Sequence, residues 1–188
     1  FPIDVFQTGS GTSTNMNVNE VISNLSKNKF KIKVHPNDDV NMSQSSNDVI
    51  PTAINHCAYS LAITKLLPSL NILSKEIGIK EKKLSKVVKT GRTHLMDAMP
   101  ITFGQELSGW KAQIDDNISS LKNCLERLKR LPIGGTAVGT GINAHKLFTK
   151  EFLIALNSGN KYKYVDKKNK FEGLSSQDDA VLYSSHLK

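Results

Sequence analysis

Between Phe103 and Leu131, apolar side chains recur at Leu107, Trp110, Ile114, Ile118, Leu121, Leu125 and Leu128, in steps of three and four residues. A period near 3.6 puts all of them on one side of an α-helix, and no β-strand uses that spacing. Pro100 and the pair Thr102 and Gln105, three residues apart as in a capping box, mark where the helix starts. Pro132, Gly134 and Gly135 mark where it stops. A stripe sustained over about four heptads cannot bury itself, so it calls for partner helices and a bundle.

Other helical segments are expected at Asn15–Lys27, at Ser46–Lys65 with Pro51 in its first turns, and from Pro68 to Ile77. Two more are expected at Lys146–Leu156 and Gly173–Leu187. Val87–Arg92 reads as a short extended piece and Asn157–Lys170 as a polar, lysine-rich loop or hairpin. Strands do not alternate with helices, which argues against a parallel α/β sheet.

The chain has 188 residues and a formal net charge of +8, a sign that invites a nucleic-acid reading. Residues 1–60 hold 4 Lys+Arg and 5 Asp+Glu, so the whole excess lies downstream. Much of it sits in two clusters, Lys80 to Lys89 and Lys161 to Lys170, a pattern usual for solvated faces and turns. No stretch approaches the roughly 20 apolar residues that a membrane helix needs. Cys57 and Cys124 fall among apolar neighbours and read as buried thiols of a reducing compartment, not as a disulfide framework. Phe1 opens no signal peptide, and Lys188 falls inside a helical segment, so the chain reads as part of a longer polypeptide.

Four polar segments interrupt the helices, each rich in donors suited to anions. Gln7 to Asn15 is a Gly/Ser/Thr loop feeding a helix N-terminus, without the Gly-Lys-Ser/Thr of a nucleotide phosphate loop. His35 to Asn41 combines a histidine with Asp38 and Asp39, but adjacent carboxylates do not converge on one metal, and Pro-Asn-Asp is turn chemistry. Ser43 to Asp48 opens the first long helix with more capping-type residues than one cap requires. Gly91 to Pro100 sets His94 between Thr93 and the nearby Asp97, a candidate general acid or base whose tautomer a neighbour can fix. Gly139-x-Gly141-x-x-Ala144 is a degenerate dinucleotide fingerprint without the strand that should precede it.

Taken in register, Gly9-Ser10-Gly11-Thr12 with Asn15-Met16-Asn17, His35-Pro36-Asn37-Asp38, Ser43 to Asp48, Gly91-Arg92-Thr93-His94 with Asp97-Ala98 and Gly104-Gln105-Glu106, and Gly134 to Gly141 resemble class II fumarate hydratase, of the fumarase/aspartase superfamily. The resemblance covers essentially the whole chain. It implies a mainly α, long-helix bundle of the fumarase/aspartase type, here an incomplete subunit. Residues 1–43 would be the C-terminal part of the N-terminal domain, and 44–188 the first part of the central bundle. The implied reaction is the reversible hydration of fumarate to (S)-malate, with a small dicarboxylate substrate and no cofactor or metal. A homotetramer in the cytoplasm, or in the mitochondrial matrix of a eukaryote, is implied, with neither membrane nor nucleic acid as partner.

By the same resemblance, Ser10, Gly11, Thr12, Ser45, Ser46, Asn47 and Thr93 bind the substrate and His94 is the acid/base residue. His35, Pro36, Asn37 and Asp38 correspond to a second dicarboxylate site. Aspartate ammonia-lyases typically carry Gln where this chain has His94, which separates the two activities. Met42 stands where many relatives have Lys and Met96 where Gln is common. The signature Gly-Ser-x-x-Met-Pro-x-Lys-x-Asn, with the family's catalytic serine, does not occur in these 188 residues, so the isolated chain is expected to be inactive. The alternatives are an aspartate ammonia-lyase, a basic helical nucleic-acid-binding protein and a fragment that only associates through its helices.

Overall fold

The computed structural model describes residues 1–187; Lys188 lies outside the described residues. The chain is mainly helical and divides into two compact units. Of the described residues, the first comprises 1–58 and 127–181, and the second comprises 59–126 and 182–187.

The helices of the first half are α1 (Thr12–Leu25), α2 (Ser46–Leu61) and α3 (Leu67–Lys83). A π turn at Ser26–Phe30 extends α1, and another at Pro36–Val40 precedes α2. The break expected at Pro68 is not a break. Helical structure runs through from residue 46 to 83, with a π turn at Ala62–Leu66 just ahead of the proline. Pro68 has no N–H, and its ring crowds the carbonyl four residues back; widening the preceding turn accommodates both without ending the helix.

In the second unit, β1 (Val88–Thr93) pairs antiparallel with β2 (Met96–Thr102). The extended piece was expected, but its partner was not. Then α4 runs from Phe103 to Leu128, the helix read from the apolar stripe. Its capping box forms in both directions: the Gln105 N–H donates to Thr102 Oγ1 (3.0 Å), and the Thr102 N–H donates to Gln105 Oε1 (2.9 Å). Buried apolar residues of this unit include Tyr59, Ala62, Leu67, Ile118, Leu121, Cys124 and Leu125.

In the first unit, β3 (Arg130–Leu131) and β4 (Val165–Asp166) form one short parallel pair, with α5 (Phe148–Ser158) between them in sequence. The lysine-rich loop ahead of β4 is closed by Asn157, whose amide both donates to the Tyr164 carbonyl and accepts its N–H (2.9 and 2.7 Å). The helix expected at Gly173–Leu187 is two helices, α6 (Lys170–Ser175) and α7 (Asp178–Ser185). Ser176 turns extended between them, and its hydroxyl accepts the Asp178 N–H (3.1 Å), a local cap that competes with helix continuation. Leu128, Leu131, Ile133 and Tyr164 are buried in this unit.

One thiol departs from expectation. Cys124 is buried, whereas Cys57 is exposed. It shares an outward face of α2 with Ile54 and Leu61, so its apolar sequence neighbours flank it in solvent instead of covering it. Among the described residues no helix is long and apolar enough to cross a membrane, and no cluster of His, Cys, Asp and Glu is placed to hold a metal.

Candidate active site

The Gly/Ser/Thr loop enters α1 through Gly11, whose φ of 75° is left-handed and whose missing Cβ would lie 2.5 Å from Ile50 Cγ1. Glycine alone allows both the turn and this approach. The Gly11 N–H donates to the Thr8 carbonyl (3.0 Å), and Ser10 Oγ lies 3.1 Å from Thr8 Oγ1 and 3.4 Å from Thr12 Oγ1. This makes a chain of exposed hydroxyls at a helix N-terminus.

The start of α2 is fastened by reciprocal capping. Ser45 Oγ accepts the Asn47 N–H (3.2 Å), while Asp48 Oδ1 accepts the Ser45 N–H (2.9 Å). The other oxygen of Asp48 reaches the glycine-rich loop after Pro132, accepting the N–H groups of Gly134 and Thr136, each at 2.9 Å. Asn47 Nδ2 donates to the Ala137 carbonyl of the same loop (2.7 Å), and the His145 N–H donates to Ser43 Oγ (3.2 Å). Asp48 is fully buried. Burial raises its carboxyl above the usual range, opposed by the backbone hydrogen bonds from Ser45, Thr136 and Gly134.

These contacts leave a pocket of about 350 Å³ in the first unit, walled by Thr12, Asn37, Ser45, Ser46, Thr136 and Asn143 among others. None of its lining residues is charged. The chemistry on offer is hydroxyl and amide donation at the N-terminus of α2, where the helix dipole favours an anion. Of the residues proposed from sequence for substrate binding, Thr12, Ser45 and Ser46 line this pocket. Asn47 secures its wall, and Ser10 and Gly11 belong to the adjoining loop.

The second-site group divides. Asn37 lines the same pocket as Ser45 and Ser46, whereas His35, Pro36 and Asp38 build the turn beside it. His35 Nδ1 accepts the Asp38 N–H (3.2 Å) and lies 3.3 Å from Asp38 Oδ2, and Asp39 Oδ2 accepts the His35 N–H (2.7 Å). The histidine acts here as a turn cap.

Thr93 and His94 belong to the second unit. Thr93 ends β1, and His94 with Leu95 makes the two-residue turn into β2. Both turn residues have positive φ, 51° and 61°, the signature of a type I′ hairpin turn. His94 stands exposed at this tip. Asp97, expected to orient it, sits opposite Arg92 across the hairpin, with Arg92 Nε 3.5 Å from Asp97 Oδ1. Asp48, Thr136 and Asn143 were not expected as site residues. The spacing Ser45-x-x-Asp48 signals the cap, but no local pattern reveals that the second carboxylate oxygen meets a loop 86 residues away.

The family model described as Lyase matches residues 1–188. The chain belongs to the lyase family. This lyase chain is 52% identical over 187 residues to a class II fumarate hydratase of Xylella fastidiosa, matching all of this chain and 40% of that protein. It is 45% identical over 193 residues to a class II fumarate hydratase of Oceanobacillus iheyensis, covering 42% of it. The crystal structure of recombinant class II fumarase from Schistosoma mansoni superposes with a TM-score of 0.88 at 40% identity, over 99% of this chain and 43% of that one. The lyase chain therefore has the helical fold of the fumarase/aspartase type and spans about two fifths of the length of the relatives it matches.

Proposed function

We propose that the protein to which this lyase chain belongs is a fumarate hydratase, converting fumarate and water reversibly to (S)-malate. The observation that carries this reading is the uncharged pocket at the N-terminus of α2, where Thr12, Ser45, Ser46 and Asn37 gather neutral donors of the kind a dicarboxylate needs. Removing the proton beside a carboxylate of malate builds a second negative charge on that carboxylate. Fixed hydroxyl and amide donors stabilise it without reorganising when the charge appears. Ser10, Gly11, Thr12, Ser45, Ser46, Asn47 and Thr93 supply such donors, and His94 acts as acid/base residue. It protonates the departing hydroxide in one direction and deprotonates water in the other. His35, Pro36, Asn37 and Asp38 form a second dicarboxylate site, with Asn37 shared by the pocket wall. The working enzyme is a homotetramer of the cytoplasm, or of the mitochondrial matrix in a eukaryote.

The test offers fumarate to the full-length protein with water alone or with ammonia. Malate is the expected product under both conditions, and aspartate without malate would overturn the reading in favour of an ammonia lyase. Replacing His94 by Asn is expected to lower kcat by about two to four orders of magnitude with the circular-dichroism spectrum retained. Unchanged turnover would remove His94 from the mechanism.

A further inference from the structure

We infer that Asn15 is a positioning residue for dicarboxylate binding, its side-chain amide holding the Ser46 hydroxyl in the orientation that donates to the ligand. The inference rests on the fumarate hydratase reading and extends it to a residue that reaches the pocket only through another. Asn15 sits in the first turns of α1 and is 6% exposed. Its Nδ2 donates to Ser46 Oγ (3.2 Å) and to Asn41 Oδ1 (3.1 Å), so both amide hydrogens are committed.

The direction of these bonds is set by the network around them. Asn41 Nδ2 donates to the Gln44 carbonyl (3.3 Å), which leaves Asn41 Oδ1 as an acceptor. That oxygen also takes a hydrogen from Asn19 Nδ2 (3.0 Å). Turning the Asn15 amide over would set its carbonyl against Asn41 Oδ1, so Asn15 can only donate to Ser46. A serine oxygen that receives a hydrogen bond must aim its own hydrogen elsewhere. The partner that the Ser46 hydroxyl has among the described residues is this Asn15 donor, and Ser46 lines the pocket, so its own hydrogen is left for what enters there. A rotor that in isolation could accept or donate is thereby held as a donor. An anion entering the pocket meets a hydrogen already aimed at it, and the orientation cost is met by folding.

Asn19 provides a built-in control. It is 5% exposed on the same helix and donates to the same Asn41 oxygen, but it does not reach Ser46. A merely structural role for the buried asparagines would make Asn15 and Asn19 equivalent. A positioning role makes only Asn15 act, and only through Ser46.

The experiment measures KM and kcat for fumarate on the full-length protein carrying Asn15→Ala, Asn15→Asp, Ser46→Ala, Asn19→Ala and the double variant Asn15→Ala/Ser46→Ala, with melting curves for each. Asn15→Ala is expected to raise KM about tenfold, the loss of one oriented hydrogen bond to a charged group, with a smaller change in kcat. Asn15→Asp keeps the shape but accepts the Ser46 hydrogen and adds a like charge, so its KM rises more. In the Ser46→Ala background the Asn15→Ala change adds less than about twofold, and Asn19→Ala alone moves KM less than about twofold. KM of both Asn15 variants within twofold of the parent, or effects that multiply in the double variant, would overturn the inference while leaving the hydratase reading intact. So would failure of both Asn15 variants to fold while Asn19→Ala folds. If the parent protein hydrates no fumarate, that reading fails, and the same cycle is read from the calorimetric affinity for malate. Absence of malate binding by the parent overturns both.

Discussion

At the scale of single residues, the backbone stores strain around the uncharged pocket and at the hairpin turn that carries His94. Six non-glycine residues have positive φ among those described, and five of them line the pocket or make the hairpin turn. Ser43, Thr136 and Asn143 line the pocket, and His94 and Leu95 make the hairpin turn. Such conformations persist only when their surroundings impose them: Thr136 is held by the Asp48 carboxylate, and the hairpin by its strand pairing. Leu95 tests the point cleanly, because its side chain is 96% exposed and contributes no packing. Leu95→Gly is expected to stabilise the chain by about 1 kcal/mol by removing the left-handed penalty of a branched side chain. A urea midpoint that falls instead of rising would show that the turn is relaxed as it stands. The same turn explains why β2 escaped the sequence reading. A two-residue hairpin is normally announced by Asn-Gly or Asp-Gly, and His94-Leu95 gives no such signal.

At the scale of elements, legibility followed locality. The long helix α4 was readable because its apolar period and capping box are local properties, and the run of capping-type residues from Ser43 to Asp48 marked the start of α2 for the same reason. The π turn at Ala62–Leu66 and the split of α6 from α7 were not, since each depends on how backbone groups are satisfied around Pro68 and Ser176. What fixes the last two helices is an ion cluster distant in sequence. Asp179 of α7, 4% exposed, accepts from Arg127 Nε at the end of α4 (2.6 Å) and from Lys167 Nζ (2.9 Å). Lys167 also pairs with Glu172 of α6 (2.9 Å). Burial alone would raise the Asp179 carboxyl, but hydrogen bonds from Lys167 and Arg127 and their charges hold it below its ordinary value. Burial likewise works against the Lys167 charge, and the bonds to Asp179 and Glu172 outweigh it and raise its pKa.

A depressed carboxyl contributes stability that is present above its unfolded pKa, near 3.8, and is lost as pH falls through the folded value. The raised Lys167 contributes on the other side, below 10.5, so both act together across the neutral range. Asp179→Asn is expected to cost about 2 kcal/mol at neutral pH, because it takes the shared carboxylate from Arg127 and leaves the buried Lys167 ammonium with Glu172 as its one remaining ion-pair partner among the described residues. The gap between parent and variant should narrow on acidification below about pH 4. Chemical unfolding at pH 7 and pH 3 reads this directly, and an equal gap at both would exclude the cluster as its source.

At the scale of the whole molecule, the stripe that opens α4 is covered along only part of its length. Ile118, Leu121, Cys124, Leu125 and Leu128 are buried, whereas Leu107, Trp110 and Ile114 border an open apolar cleft of about 490 Å³ with Leu73 and Ile77 of α3. Trp110 is 54% exposed and Leu73 47%. The cleft is rimmed by Glu76, Lys80 and Gln113, and an apolar patch with a polar rim is suited to an interaction surface. The chain spans about two fifths of its relatives' length. Under the tetramer proposed above, the cleft receives helices of the remaining sequence or of neighbouring subunits. Its central tryptophan is then the anchor whose loss is felt most. Trp110→Glu would force an unpaired carboxylate into that contact, at a cost of several kcal/mol per subunit. The full-length protein is therefore expected to sediment as a tetramer, and the Trp110→Glu variant as smaller species with turnover reduced in step. A variant that remains tetrameric and fully active would show that this face of α3 and α4 meets solvent in the working enzyme, and the tetramer would have to close through other elements.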